Sequence, residues 1–315
     1  MRVLITGGLG YLGGRIGRHL AGTGRFDVTL GTRNTATAPA LDFSARIETI
    51  RLDDPGSLPR SLRGVDLLIH LAALNDAESA ADPARALQVN GIQTHHLLAA
   101  AAAARVRRIF YVSTAHVYGA PLSGTIDENT PPRPSNPYAS SHRVAEEAVL
   151  AAHARGDIEG VVVRLSNGYG APLWPGVRCW TLVVNDLCRQ AVERRRLVLR
   201  SDGLQRRDFV PLTDVARACE HLLNLSREAC GNGLFNLGGD ATWMIYECAQ
   251  RVAVRCEAVL GYRVPVDRVE PAAGASSPPL AFLSEKLKAT GFSLQASPAG
   301  EIDGTLLACA TWFKK

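Results

Sequence analysis

Lysine is nearly absent from this chain of 315 residues, which carries 31 arginines but only four lysines. The four lysines, Lys286, Lys288, Lys314 and Lys315, all lie near the C-terminal end. The first 285 residues therefore contain no ε-amine, which excludes a P-loop lysine and a Schiff-base lysine from that part of the chain. A GC-rich genome that encodes Arg in place of Lys accounts for the general deficit, and the chemical consequence is the same.

The chain also lacks the signals of several other protein classes. No window holds 18 uncharged apolar residues, so we expect no membrane span. The seven cysteines form no C-x-x-C pair and no His/Cys cluster at zinc spacing, so we predict reduced thiols, a cytoplasmic protein and no metal site. The N-terminus runs into glycines rather than into a signal-peptide cleavage site. A net charge of +5 over 315 residues is too weak to indicate nucleic-acid binding.

Short apolar runs alternate with helical patterns through the first half of the chain. Near-continuous apolar strands that alternate with helices predict a parallel sheet covered on both faces. Right-handed crossovers then give a doubly wound α/β fold of Rossmann type. The predicted strands are residues 3–5, 28–30, 47–52, 65–71, 109–112 and 161–163, and the clearest helices are 11–20, 90–104 and 138–154.

The pattern becomes less regular after about residue 168. Pro172, Pro175 and Gly176 predict a loop, and short elements separated by Ala, Gly and Pro follow it. We therefore expect residues 1–167 to form the domain that holds the parallel sheet, with this sheet completed by later segments such as 208–240. Residues 168–315 are expected to form mainly a smaller lobe.

Three glycines lie directly between the first predicted strand and the first predicted helix. Gly7, Gly10 and Gly13 recur at every third residue. In dinucleotide-binding proteins one such glycine makes a tight turn, one lets the backbone approach a pyrophosphate, and one lets the helix pack on the strand. The helix N-terminus then offers its free N–H groups to the phosphates. The alternative is a plain strand-to-helix turn without a ligand.

Further motifs follow the glycine loop in order along the chain. They are residues 70–73 (HLAA), 89–91 (VNG), 112–119 (VSTAHVYG), Tyr138, 164–170 (RLSNGYG), 207–210 (RDFV) with Asp214, Gly291-Phe292 and Trp312. Together with the G-x-x-G-x-x-G spacing, this set resembles the extended branch of the short-chain dehydrogenase/reductase superfamily, which comprises nucleotide-sugar epimerases, dehydratases and reductases. The resemblance covers nearly the whole chain.

The resemblance implies a bound NAD(P) cofactor, so residues 1–167 are expected to be a dinucleotide-binding domain and residues 168–315 mainly a substrate-binding lobe. The residues expected to hold it are Gly7, Gly10, Tyr11, Leu12, Gly13, Arg33, Asp53, Leu71, Ala72, Ala73, Asn90, Tyr138 and His142. Asp53 resembles the position that contacts adenine, and Asp54 can take its place. The residues after the second strand, Gly31, Thr32 and Arg33, lack the acid that bonds the 2′-OH of NAD, whereas an Arg can meet the 2′-phosphate of NADP. These residues favour NADP over NAD. The alternative is that Arg33 is only solvated and that other contacts hold NAD.

The resemblance also implies the catalytic residues. Tyr138 matches the tyrosine that exchanges a proton with the sugar hydroxyl, and Thr114 matches the residue that bonds the same oxygen. The family has a lysine four residues after the tyrosine, which lowers the tyrosine pKa and holds the nicotinamide ribose. This chain has His142 there.

Three interpretations of His142 remain open on the sequence alone. His142 is a working substitute for the lysine, or the chemistry is altered, or catalysis is lost. An unperturbed histidine titrates near pH 6.5 and is mostly neutral at pH 7, so it would lower the tyrosine pKa less than a lysine does.

The substrate end follows from the same resemblance. In 4,6-dehydratases an Asp-Glu pair follows the threonine, and its replacement by Ala115 and His116 argues against that activity. His116 is either a second proton carrier or a variable filler. Asn167 and Arg207 match residues that bind the sugar or diphosphate of a nucleotide sugar. We therefore expect a 4-epimerase or 4-ketoreductase of nucleotide sugars; the alternative is a non-catalytic dinucleotide-binding protein. By the same resemblance, helices 90–104 and 138–154 form a homodimer interface.

Overall fold

A seven-stranded parallel sheet forms the centre of the structure, a computed structural model that describes residues 1–36 and 38–314. From one edge to the other the strands are β3 (Arg46–Thr49), β2 (Asp27–Thr32), β1 (Arg2–Thr6), β4 (Leu67–His70), β5 (Arg108–Thr114), β7 (Glu159–Leu165) and β11 (Leu234–Leu237). Every neighbouring pair is parallel. The strand order reverses between β1 and β4, and ligands of such sheets bind at the carboxyl ends of the strands beside this point.

Helices cover both faces of the sheet. They are α1 (Tyr11–Gly22), α2 (Leu58–Ser61), α3 (Asp76–Ala81), α4 (Pro83–Ala86), α5 (Gln93–Ala103), α6 (Pro137–Arg155), α7 (Val183–Arg194), α8 (Leu212–Asn224), α9 (Arg227–Cys230), α10 (Ile245–Leu260), α11 (Glu285–Ala289) and α12 (Pro298–Phe313). Successive strand residues point to opposite faces, so Ile5 packs with α1 and α8 while Leu4 packs with α2, α5 and α6. The predicted doubly wound α/β fold is confirmed.

A second hydrophobic core lies in the C-terminal part of the chain. Helices α7, α10 and α12 pack around it. The short strands are β6 (Gly124–Ile126), β8 (Asn167–Tyr169), β9 (Leu197–Val198), β10 (Arg206–Pro211), β12 (Thr242–Met244), β13 (Val266–Asp267) and β14 (Leu280–Phe282). All seven cysteines are free and buried. Across the described ranges, no helix combines the length and the apolar character needed to cross a bilayer.

Two predicted segments differ from the structure. The strand predicted over 47–52 ends at Thr49, because β3 is an edge strand; Ile50 and Leu52 continue into the core as irregular chain. Of the segment 208–240, only Leu234–Leu237 joins the central sheet, since Arg206–Pro211 pairs with β8 and β12. The division of the chain at residue 167 stays a prediction.

The helix predicted from residue 90 begins earlier, as a π-helical turn over Leu87–Ile92 that continues into α5. The Asn90 carbonyl accepts a hydrogen bond from the Thr94 hydroxyl at 2.6 Å. Such wide turns occur frequently at functional sites, and this one turns the Asn90 side chain into the protein interior, where it is 1% exposed.

Helix α6 begins with a capped first turn. The Asn136 side chain accepts a hydrogen bond from the backbone N–H of Ala139 at 2.8 Å, and Pro137 occupies the first helical position. The helix ends at Gly156, which has a left-handed φ of 83°. This start places Tyr138 in the first turn of α6, beside the carboxyl ends of the strands.

The glycine loop packs helix α1 closely against strand β1. Gly7 has a left-handed φ of 67°, and its carbonyl accepts a hydrogen bond from Gly10 N at 2.9 Å. A Cβ added at Gly13 would overlap the Gly7 carbonyl and lie 2.7 Å from Gly8 Cα. The turn therefore requires glycine at positions 7 and 13.

We predict that Gly13→Ala lowers the free energy of unfolding by about 1–3 kcal/mol, because the added methyl group has no space against the loop backbone. Gly22→Ala on the same helix is the matched control, since a Cβ there meets nothing within 4 Å. This control should leave stability unchanged or raise it by up to about 1 kcal/mol. Urea unfolding measures both variants; equal effects would show that the close approach at Gly13 is not needed.

Candidate active site

The glycine loop and the loop after β4 form a narrow backbone cradle at the point where the strand order reverses, between β1 and β4. A Cβ added at Gly7 would lie 3.0 Å from Ala72 N and 3.1 Å from the Leu71 carbonyl carbon. Helix α1 begins there at Gly10, and among the described residues no side chain caps its free N–H groups. A helix N-terminus of this kind binds anions, so the cradle fits the pyrophosphate of a dinucleotide.

Two residues expected at the cofactor have protein partners for their side chains. The Tyr11 hydroxyl lies 3.0 Å from Gly170 O and 3.2 Å from Asn185 Oδ1. Its side chain therefore joins the glycine loop to the C-terminal part of the chain. Asn90 accepts a hydrogen bond from Leu74 N at 2.7 Å and donates to Ser141 Oγ at 3.0 Å. Asn90 thus holds the loop after β4 against α6; cofactor contacts of both residues remain predictions.

The carboxyl ends of β2 and β3 form an exposed charged corner. The Asp53 carboxylate accepts hydrogen bonds from Arg51 Nε at 3.2 Å and Nη2 at 3.0 Å. These bonds, with further help from the charge of Arg33, hold the pKa of Asp53 below its usual range. A Cβ at Gly31 would lie 2.7 Å from Ile50 Cγ1, so Ile50 occupies the space that an acid at position 31 would need. The corner therefore presents Arg33 and Arg51 to a ligand.

The structure brings Thr114 and Tyr138 together. Thr114 ends β5 and Tyr138 lies in the first turn of α6, so the Thr114 hydroxyl can act on the Tyr138 phenol. Burial raises the pKa of Tyr138 to about 12; the Thr114 hydroxyl opposes this shift, and the carboxylate of Asp76 adds to it. The phenol is consequently protonated at neutral pH.

His142 lies one helical turn after Tyr138 and is 3% exposed. The two rings meet edge to face with centroids 4.5 Å apart. Nδ1 of His142 lies 2.6 Å from the Tyr111 hydroxyl oxygen, whereas its buried Nε2 has no hydrogen-bond partner within residues 1–36 and 38–314. Burial lowers the pKa of His142 to about 4, although Glu146 raises it; a weaker contribution from His116 lowers it further.

His142 is therefore neutral at pH 7 and supplies no positive charge to Tyr138. Its unpartnered Nε2 leaves a hydrogen-bonding position that a ligand can complete, which fits a dinucleotide ribose. The imidazole therefore brings no charge to this position, and its Nε2 is available for a hydrogen bond.

A buried ion pair continues the same face of α6. Glu146 lies one turn after His142 and pairs with Arg164 of β7 at 2.8 Å, with side chains 0% and 1% exposed. Arg143 Nη1 contributes a second hydrogen bond to Glu146 at 2.9 Å. The Arg164 guanidinium also lies 4.7 Å from the Tyr118 ring centroid. The pair ties α6 to the strand next to β5, which fixes the helix that carries Tyr138 and His142.

Charged groups act on the imidazole of His116. Burial, followed by the charge of Arg207, lowers the pKa of His116, while the charge of Asp76 raises it. His116 Nδ1 is buried, and in the described chain it has no hydrogen-bond partner. Arg207 Nη2 donates to Gln205 Oε1 at 3.1 Å. Asn167 differs, because its Nδ2 donates to the Asp208 carbonyl at 2.9 Å and so joins β8 to β10.

Tyr111, Asp76, Arg51 and Glu146 were not identified from the sequence. Tyr111 lies within an apolar strand, where a tyrosine has no distinguishing pattern. Asp76 follows the capping residue Asn75 and has the pattern of an ordinary acid in the first turn of a helix. Neither pattern indicates that Tyr111 contacts His142 or that the charge of Asp76 acts on Tyr138.

The aromatic residues near the predicted substrate end are packing residues. Trp174 packs against Gly14 of α1, and Trp180 against Phe313 with centroids 4.9 Å apart. Tyr169 packs against Trp243 at 5.9 Å. Within the described ranges, no cluster of three or more His, Cys, Asp or Glu side chains is arranged to hold a metal ion.

The arginines that precede β9 are also accounted for by protein contacts. Arg195 lies over the ring of Tyr262 at 3.8 Å, and Arg196 pairs with Asp267. These contacts favour a structural role for both cations at the end of α7.

Comparison with known proteins gives the family. Residues 3–238 match the model of the NAD dependent epimerase/dehydratase family. A dTDP-glucose 4,6-dehydratase from Streptomyces niveus is 26% identical over 271 residues, which are 82% of this chain and 78% of that protein. A UDP-glucose 4-epimerase from Halalkalibacterium halodurans is 29% identical over 286 residues, or 85% of this chain and 83% of that protein. The chain spans about half the length of the mammalian dTDP-D-glucose 4,6-dehydratases that it matches.

Solved structures show the same relationship. The crystal structure of the UDP-glucose 4-epimerase from Thermus thermophilus in complex with NAD superposes with a TM-score of 0.80 at 25% identity, covering 98% of this chain and 99% of that one. The family resemblance inferred from the ordered motifs is thereby confirmed, and the chain belongs to the NAD dependent epimerase/dehydratase family.

Proposed function

We propose that this protein is an NAD(P)-dependent oxidoreductase or epimerase of a nucleotide-activated sugar, acting as a 4-epimerase or 4-ketoreductase. The observation that carries the proposal is the placement of Thr114 at the end of β5 and of Tyr138 in the first turn of α6, at the carboxyl ends of the strands, where the glycine loop also lies. The family membership and the likeness to a UDP-glucose 4-epimerase bound to NAD support it. The nicotinamide, when bound, supplies or accepts the hydride.

The protein's own groups handle the proton and the orientation of the sugar. Tyr138, protonated at neutral pH, is ready to donate its proton to a keto oxygen, and it must ionise before it can remove a proton from a hydroxyl. Thr114 offers a hydroxyl to the same sugar oxygen. Neutral His142 offers hydrogen bonding without charge. The guanidinium of Arg207, whose charge acts on His116, suits the diphosphate of a nucleotide sugar.

A second candidate is a dinucleotide-binding protein that has lost catalysis. It is favoured by one observation, namely that the residue one turn after Tyr138 is a neutral histidine. A 4,6-dehydratase is disfavoured, although a relative carries that name, because Ala115 and His116 stand in place of the acidic pair.

Turnover and its pH dependence test the proposal. We expect single-turnover oxidation of UDP- or dTDP-hexoses by enzyme-bound NAD(P), followed by the absorbance of the reduced nicotinamide, to accelerate about tenfold per pH unit from pH 7 to 10. The reason is that Tyr138, with its pKa raised to about 12, becomes phenolate only as the pH rises. Tyr138→Phe should lower kcat by about 100-fold or more.

The His142→Lys variant separates the two candidates. A cation beside Tyr138 should lower its pKa and raise the rate at pH 7 by about tenfold or more, flattening the pH profile. His142→Gln, which is uncharged, is the matched control and should keep the steep profile. Normal dinucleotide binding with no turnover of any nucleotide sugar, by the native protein or by His142→Lys, would establish the non-catalytic candidate instead.

We infer a preference for NADP over NAD. Its support is the absence of an acid at Gly31 and the proximity of Arg33 and Arg51 at the same corner. Arg33→Ala should weaken NADPH binding by about tenfold while leaving NADH binding within about twofold, because only NADPH carries the 2′-phosphate. Fluorescence titration of both nucleotides measures this. Equal losses for the two nucleotides, or tighter NADH binding by the native protein, would contradict the preference.

We further propose a homodimer formed through α5, α6 and the π-helical turn before α5. Three apolar side chains on these segments are exposed: Leu87 by 44%, Ile92 by 45% and Val144 by 47%. Val144 Cγ1 would lie 3.0 Å from a Cβ at Gly91, so the two segments are adjacent at this face. Apolar side chains grouped on one face favour association.

Ile92→Arg should convert the dimer to a monomer, because it places a charge at the centre of this apolar face. Val254→Arg is the matched control, since Val254 is 64% exposed on α10, away from that face, and its replacement should leave the dimer intact. Light scattering after size-exclusion chromatography gives the masses. A monomeric native protein would overturn the proposal.

A further inference from the structure

The Tyr111 hydroxyl and His142 form an isolated buried pair. Tyr111 lies on β5 and is 2% exposed, and its hydroxyl oxygen is 2.6 Å from Nδ1 of His142. The rings lie 5.9 Å apart between centroids. In the described part of the chain, Nδ1 is the only hydrogen-bond partner of this hydroxyl. The contact therefore joins the floor of the site on β5 to the helix that carries Tyr138.

The proton of the hydroxyl decides the tautomer of the imidazole. A buried O–H without an acceptor costs about 1–3 kcal/mol, and Nδ1 is the acceptor within reach. If the Tyr111 hydroxyl donates, Nδ1 carries no proton, and a neutral imidazole must hold its single proton on Nε2. The reverse arrangement would leave the Tyr111 proton unbonded in the protein interior.

Nε2 is the ring nitrogen without a protein partner among the described residues. It is buried, and it points away from β5 because Nδ1 faces Tyr111. The ring also contacts Tyr138 edge to face at 4.5 Å, so His142 lies beside the proposed catalytic phenol. An N–H at this nitrogen is a donor for an incoming hydroxyl, whereas a bare nitrogen would be an acceptor.

We propose that Tyr111 is a positioning residue, whose hydroxyl donates to Nδ1 of His142 and so holds the imidazole with its proton on Nε2, directed to a ribose hydroxyl of the dinucleotide. The ribose part of this inference rests on the proposed function; the tautomer part does not. Glu146 and His116 also face His142, and neither forms a hydrogen bond to Nδ1. Tyr111 thereby makes the neutral imidazole of His142 a hydrogen-bond donor at Nε2. A lysine ammonium would be a donor in any orientation and would need no such positioning.

The tautomer is measurable in the ligand-free protein by long-range ¹H–¹⁵N correlation with ¹⁵N-histidine labelling. We expect a protonated-type signal for Nε2 of His142 and an unprotonated-type signal for Nδ1, with the assignment made by their loss in His142→Gln. His153 is an internal reference, because its Nδ1 accepts from Gly160 N at 3.1 Å and its Nε2 lies 3.0 Å from the Gly231 carbonyl. Its proton therefore belongs on Nε2.

Tyr111→Phe removes only the hydroxyl, and we expect His142 to give mixed tautomer signals in this variant. NADPH should bind about 5- to 10-fold more weakly, the loss equivalent to one hydrogen bond. Tyr118→Phe is the matched control: it also removes a buried hydroxyl, bonded to Asn236 Oδ1 at 2.8 Å, and should change neither the His142 signals nor nucleotide affinity.

A protonated Nδ1 in the native protein, or unchanged His142 signals in a folded Tyr111→Phe variant, would overturn the proposal. The native spectrum alone decides the tautomer if Tyr111→Phe does not fold. If the native protein binds no dinucleotide while the tautomer signals follow the expectation, the proposed function fails and the positioning role of Tyr111 stands. If the protein binds NADPH but Tyr111→Phe binds it equally well, the ribose contact is overturned.

Discussion

The polar face of helix α6 is buried against the sheet, and the rest of the site depends on how its side chains are paired. Tyr138, His142 and Glu146 follow one another at four-residue spacing on this face. Each of them interacts with a side chain on a strand, namely Thr114, Tyr111 and Arg164 in the same order. Because a buried polar group without a partner destabilises the fold, each pairing fixes the height and rotation of the helix as well as its own two side chains.

This arrangement explains how the helix tolerates a histidine where the family has a lysine. A neutral imidazole needs one partner for each ring nitrogen, and Tyr111 satisfies one of them without adding charge. The carboxylate of Glu146 is compensated by Arg164 and Arg143, so it does not force a proton onto His142. The charge balance of this face is therefore complete without an amine. Position 142 is where the low lysine content of the chain bears on the chemistry of its site.

Local sequence patterns predicted the features that depend on neighbouring residues. The glycine spacing and the alternation of strands with helices both act within a few residues. The contacts that give the site its electrostatics join distant positions. Tyr111 and His142 are separated by 31 residues, and a tyrosine in an apolar strand has the same pattern whether its hydroxyl is used or not.

The same limit applies at the edge of the sheet. The strand predicted over 47–52 ends early, at Thr49, because Ile50 and Leu52 are buried residues whose pattern looks the same in a strand and in irregular chain that packs on the core. The absence of an acid at Gly31 was visible in the sequence. That Ile50 occupies the vacated space was not, since the closeness of the two residues depends on the pairing of β2 with β3.

The contact between Gly31 and Ile50 also constrains how this protein can evolve. An acid introduced at position 31 would collide with Ile50, while a smaller residue introduced first at position 50 would leave a cavity costing about 2–5 kcal/mol. A lineage that acquires an acid at position 31 must therefore pass through an intermediate less stable than either endpoint. Arg33 is exposed, so replacing it requires no accompanying change in the core. Substitutions at position 33 therefore avoid the destabilised intermediate.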